Sequence, residues 1–397
     1  MSEMIVGAHD GVGSLGASGS AASRLLSATN IWADAPPPAP VSPQVPQPEP
    51  VAQADAPPAV VVGKAAPVSR PQARSDQWPP RKLSLALQGG GTFAAFSWGV
   101  LERLLEEPDI AIDTVSGASA GAINALLLAS GLVEGGREGA RNRLNRFWIR
   151  LMHEASFRSL MLIGGFSPAG SSVAFGPTLR SGQFDPFDLD PLRQALARDI
   201  DFAALHDARC PKLLIAATRI RDGQQQIFRN DAITADVALA STCPPLVHCA
   251  VEIDGEAYWD GGFGGNPPLL RLAQETTTSD VLLIQVTPAR DSYVPITLAA
   301  IDRRLDQIAA NATLNAEIAA IAWAQAHAAP SLRLSRIAAE DFFEGLAQRS
   351  STDLGRGFIR ALHRSGREAA ELWLGQGADG NAPAHDRAAA RAEPALA

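Results

Sequence analysis

Three short segments carry residue types from which an acyl-transfer site can be built. The first, Gln88-Gly89-Gly90-Gly91-Thr92-Phe93-Ala94, joins an apolar run, LSLALQ, to a stretch with helical spacing. Consecutive glycines at a helix N-terminus expose backbone N–H groups that can hold an anion formed during a reaction. The same turn allows two other readings. Gly89, Gly91 and Ala94 satisfy the dinucleotide pattern G-x-G-x-x-G/A, with Asp113 downstream as a ribose-binding acid. Three glycines can also simply make a tight turn.

The second segment, Gly117-Ala118-Ser119-Ala120-Gly121, matches G-x-S-x-G between an expected strand and a long apolar helix. That context is what a nucleophile elbow requires. The turn forces the serine into strained backbone geometry with its hydroxyl exposed. Gly117 and Gly121 omit side chains that would strike the neighbouring strand and helix, and the helix N-terminus favours negative charge at Ser119. A serine N-cap in a small-residue turn is the plainer alternative. The third segment, Tyr258-Trp259-Asp260-Gly261-Gly262, follows a strand-like EIDGEAYW. An acid in D-G-G is often only a turn residue. As a base for Ser119, Asp260 needs partial burial to lift it from the usual value of about 3.9. Gly261 and Gly262 are expected to let the backbone approach the elbow.

The elements that must position these segments follow from periodicity. LSLALQ reads as a buried parallel strand, 95–107 as a helix, Asp109 to Val115 as a strand and Ala120 to Leu132 as a helix. That alternation is the signal for βαβ units. Beyond it come an arginine-rich helix at 138–155 and an irregular stretch, Phe157 to Phe187, read as a flap or a long connection. Strands are then expected at 212–220, 224–228, 281–287 and 331–337, and helices at 233–241, 297–326 and 353–374. The expected fold is α/β: three layers, α/β/α, around a mostly parallel sheet spanning 81–376. Between Pro36 and Pro80 lie 14 of the 29 prolines, so residues 1–80 read as a disordered arm, and 377–397 as a flexible tail.

In their order, LALQGGGTFAAFSWGVLERLLE, SGASAGAINA and YWDGGFGGNPPL resemble the patatin-like phospholipases in a bacterial form. The resemblance implies a patatin-like fold and hydrolysis of lipid acyl esters by a serine–aspartate dyad without a histidine. By motif it makes Ser119 the nucleophile, Asp260 the base, and Gly89, Gly90 and Gly91 the oxyanion-hole donors. Gly117, Gly121, Gly261, Gly262 and Ala94 become supporting positions. The family loop often reads G-G-G-x-R-G. Here Phe93 stands in place of the arginine and Ala94 in place of the last glycine, which weakens the expectation of phosphate recognition more than that of ester hydrolysis.

A serine–histidine–acid triad is the rival mechanism, with His248, His327 or His363 as the base. No cofactor or metal is implied. Cys210, Cys243 and Cys249 are too few and too irregular for a disulfide framework or a zinc site, and read as thiols in a reducing cytosol. A net charge of −8 sets nucleic acid aside as a partner. Leu83–Leu101 and Thr114–Val133 are uncharged and nearly long enough to span a bilayer, but each contains a polar glycine turn, so neither is read as a span. The N-terminus has no basic and apolar signal region. The expectation is a cytoplasmic protein with room for peripheral membrane contact.

Overall fold

A computed structural model describes residues 77–154, 190–243, 250–327 and 332–376. Nearly all of the proline-rich arm, the whole of the 157–187 stretch, His248, Cys249 and the C-terminal tail lie outside the described residues. The described residues build an eight-stranded sheet in the order β5-β6-β3-β2-β1-β7-β8, with β4 also paired to β3. The strands are β1 Lys82–Leu87, β2 Ala111–Gly117, β3 Lys212–Arg219, β4 Gln225–Phe228, β5 Val251–Ile253, β6 Glu256–Asp260, β7 Asp280–Gln285 and β8 Arg333–Ala338. The pairs β1–β2, β2–β3, β1–β7 and β7–β8 are parallel, and the pairs β3–β4, β3–β6 and β5–β6 are antiparallel.

Alternation along the strands creates two cores. Leu83, Leu85 and Leu87 point to one face, with Val115, Ile215 and Ile284. That face is covered by α1 (Ala95–Leu104), α2 (Ala120–His153), α3 (Asp190–Asp199), α4 (Ala235–Ser241) and, further on, α7 (Arg356–Gly375). Ala86, Leu214, Ala216 and Leu283 point the other way, against α5 (Leu269–Glu275) and α6 (Leu298–His327). This is the expected α/β/α layering. Burial on both faces explains why β1, β3 and β7 read as unbroken apolar runs.

Three local readings change. EIDGEAYW is not one strand: it folds back at Asp254 and Gly255, both with positive φ, into the β5–β6 hairpin. The two helices expected at 120–132 and 138–155 form one element broken at Gly135 and Gly136, where φ is −144° and 60°. Helices α3 and α5 were not signalled. Both span-like windows resolve into strand, turn and helix. Among the described residues no helix is long and apolar enough to cross a membrane.

Candidate active site

Parallel pairing sets β1 and β2 side by side, with Leu87 opposite Gly117. Their carboxyl ends therefore release the glycine turn and the G-x-S-x-G turn into the same crevice, the usual ligand position in such sheets. Close approach between the two turns is what requires glycine at 89. A Cβ there would lie 2.5 Å from the Ala118 carbonyl oxygen and 2.7 Å from Ser119 Cβ. Gly121 is pressed as tightly against β1, since its Cβ would lie 2.2 Å from the Leu87 carbonyl oxygen, and Gly117 faces the Gly121 backbone.

Ser119 has φ 53° and ψ −133°, a strained conformation for a non-glycine residue. The surroundings hold it there. Its N–H is shared between the Ser241 carbonyl and Ser241 Oγ, each at 3.1 Å. Its carbonyl accepts from Ala122 and Ile123, the first bonds of α2. Asn124, one turn later, donates to the Ala94 carbonyl at 2.9 Å and accepts from Trp148 Nε1 at 3.0 Å. The elbow helix is thus tied to the glycine turn at Ala94.

Asp260 ends β6, where it pairs with Ala217 of β3, and its N–H donates to the Cys243 carbonyl at 2.9 Å. Its side chain is buried. Burial pushes the carboxyl up to about 7, against the opposing effects of the Gly262 N–H and the Ser119 hydroxyl, which both hydrogen-bond to it. The Gly262 N–H lies 2.7 Å from Oδ1. Gly261 and Gly262 do not bring the backbone to the elbow as expected. Gly261 instead packs on β3, where a Cβ would lie 2.2 Å from the Ala216 carbonyl oxygen, and Gly262 serves the carboxylate.

The three loop glycines divide. The Gly89 N–H donates to Asn266 Oδ1 at 2.6 Å, while its carbonyl accepts from Asn266 Nδ2 and Thr287 Oγ1, both at 3.1 Å. Gly89 is therefore a clamped residue rather than an open donor. The N–H groups of Gly90 and Gly91 have no partner among the described residues. Both glycines line the same cavity of about 740 Å³ as Ser119 and Asp260. No local signal in the sequence marks Asn266, although it lies within the GGFGGNPPL segment after Asp260. An Asn266→Ala variant is expected to lower kcat about 10- to 100-fold with KM little changed, because the loop loses its register to Ser119. Steady-state kinetics beside a melting curve checks this.

Other groups complete the walls. Gln88 Oε1 accepts from the N–H groups of Val286 and Thr287, and its Nε2 donates to Asn311 of α6. The strap at 349–352 lies over the glycine turn, with the Thr92 N–H donating to the Ser351 carbonyl at 2.7 Å. Helix α6 presents Asp302, Arg303 and Asp306 to the cavity. Burial and the neighbouring Asp302 charge push Asp306 up to about 7. Phe93 is buried edge-on to Phe358, over which the Arg349 guanidinium stacks at 4.6 Å. Among the described residues the cavity's cations are therefore Arg303 and Arg349, and none comes from the glycine loop.

The rival site residues lie elsewhere. Asp113 sits towards the amino end of β2, the opposite end of the strands from Gly89, which is the wrong end for a ribose-binding acid. Burial alone would raise its carboxyl, but hydrogen bonds from Lys82 and Thr277 outweigh this and hold it at about 2. His363 stacks on Trp98 and bonds to Glu102, and His327 Nδ1 lies 2.8 Å from the Trp323 carbonyl. Neither lines the Ser119 cavity.

The family model for patatin-like phospholipases matches residues 85–273, from β1 through the D-G-G turn into α5. Residues 85–273 are a patatin-like phospholipase domain. The family implies an ester-hydrolysing enzyme of lipid metabolism. The patatin-like match covers every motif residue named above and stops before α6 and the strap that complete the cavity. Among solved structures, the crystal structure of VipD from Legionella pneumophila aligns with 80% of this chain and 72% of its own, at 15% identity and a TM-score of 0.40. No curated protein matches the chain in sequence.

Proposed function

We propose that this patatin-like domain is a lipid acyl hydrolase working through a Ser119–Asp260 dyad. The observation that carries the reading is the buried Asp260 carboxyl. It is hydrogen-bonded to Ser119 and poised at about 7, beside two amides that have no partner among the described residues, in one cavity. A base is most effective when its pKa lies near the working pH.

Ser119 Oγ attacks the ester carbonyl carbon while its proton passes to Asp260. The carbonyl oxygen becomes an oxyanion held by the N–H groups of Gly90 and Gly91, with the N-terminus of α2 favouring the negative charge. Collapse of the tetrahedral intermediate expels the alcohol, which takes the proton from Asp260, and leaves the acyl group on Ser119. Asp260 then takes a proton from water as the water attacks the acyl carbon. The second collapse returns that proton to Ser119 Oγ and releases the fatty acid.

Incubation with a total lipid extract should release free fatty acid. A fluorophosphonate ester should label Ser119 alone on peptide mapping. Fatty-acid release that survives complete labelling, or a label on another side chain, would overturn the reading.

A further inference from the structure

Helix α6 is inside out over about its first four turns. Its buried side is polar: Gln307 donates to the Ala347 carbonyl, and Asn311 bonds to the side chains of Gln88 and Gln285 and to the Pro288 carbonyl. Its solvent side carries Leu298, Ile301, Leu305 and Ile308, all exposed and spaced as a single helical stripe. The stripe runs back into Val294 and Ile296, which are 87% and 89% exposed. A helix on a water-facing surface shows the reverse arrangement, and a contiguous exposed apolar patch marks a contact surface.

The position of the stripe identifies what covers it. The adjacent face of the same helix, through Ala299, Asp302, Arg303 and Asp306, forms a wall of the Ser119 cavity. Anything seated on the stripe therefore lies at the cavity rim. We infer that residues 294–308 are a docking rim for a lipid surface, seating the chain so that the cavity opens into the layer holding the ester. The inference rests on the proposed lipid hydrolysis and adds the surface from which substrate enters. A protein clamped on the same stripe would stand across that entry. The flanking charges are mixed, with Asp302, Arg303, Arg304 and Asp306 in one stretch, so attachment is by apolar insertion and not by attraction to anionic headgroups.

The test uses the full chain and phosphatidylcholine vesicles, with Val294→Asp/Ile296→Asp as one variant and Ile308→Asp as a second. None of these three residues lines the cavity. Both variants should show at least a tenfold lower partition onto vesicles and a matching loss of vesicle-lipid hydrolysis. Their kcat/KM on a water-soluble p-nitrophenyl ester should stay within twofold of wild type. Wild-type partition should persist in 0.5 M salt. Unchanged vesicle binding in both variants would overturn the rim, as would binding abolished by salt, or a wild-type dimer that the variants convert to monomers. Rim-dependent vesicle binding without turnover of any ester would uphold the rim while sinking the catalytic reading.

Discussion

Ser119→Ala lowers kcat/KM toward a p-nitrophenyl acyl ester by at least about 10⁴-fold, with the fold retained. Removing a nucleophile forfeits the whole covalent route, leaving only what the oxyanion donors and substrate positioning supply. The structure gives a reason to expect the fold to survive. The elbow is held by backbone bonds from the Ser119 N–H and carbonyl, which alanine keeps. Alanine must still adopt φ 53°, a strain already present with serine. Kinetics with matched circular dichroism checks the outcome. Activity within tenfold of wild type would remove Ser119 from the mechanism.

Asp260→Asn is expected to remove activity to a similar degree and yet stabilise the protein at neutral and alkaline pH. Asparagine cannot take the serine proton, but its carbonyl can still accept from Gly262. The carboxyl ionises at 3.8 when unfolded and at about 7 in the native site. Below pH about 4 both states hold the proton and burial costs nothing through this group. Between about 4 and 7 only the native state retains it, so native stability falls as pH rises, and above 7 the loss is complete. It amounts to at most about 4 kcal/mol. The variant lacks this loss. Its advantage in melting temperature should be absent near pH 4 and largest above pH 7, at roughly 2–4 °C per kcal/mol recovered. Urea or thermal melts at pH 5 and pH 8 decide it. An equal or lower stability at pH 8 would show that Asp260 is not ionised under burial strain. Strain of this kind, at a group needed for chemistry, is the usual origin of a trade-off between stability and function.

The parts of this site that the sequence announces are those made by neighbours along the chain. Strand, glycine turn and helix follow one another within β1 to α1, and Ser119 follows β2 directly, so apolar runs interrupted by glycines reveal both turns. Asp260 is legible for the same reason, as an acid ending a strand before two glycines. What escapes is whatever depends on partners far apart. Asn266 clamps Gly89 across 177 positions, and no local pattern distinguishes that asparagine from one in an ordinary turn. The division of the glycine loop into a clamped Gly89 and open Gly90 and Gly91 follows from that one contact. The inside-out face of α6 also needed the fold: periodicity shows a stripe but not which side meets the core, and here polar Gln307 and Asn311 face inward. The hairpin at Asp254–Gly255 was lost inside an apparently continuous strand because its residues are few and its turn is tight.

The most direct test of the dyad is the pH dependence of the rate at which Ser119 is acylated, measured under single-turnover conditions in wild type and in His248→Ala. A single ionisation near pH 7, with the basic form active and the profile unchanged in the variant, is what Asp260 at about 7 predicts. A profile that levels off near pH 4, or one that collapses when His248 is removed, would contradict it.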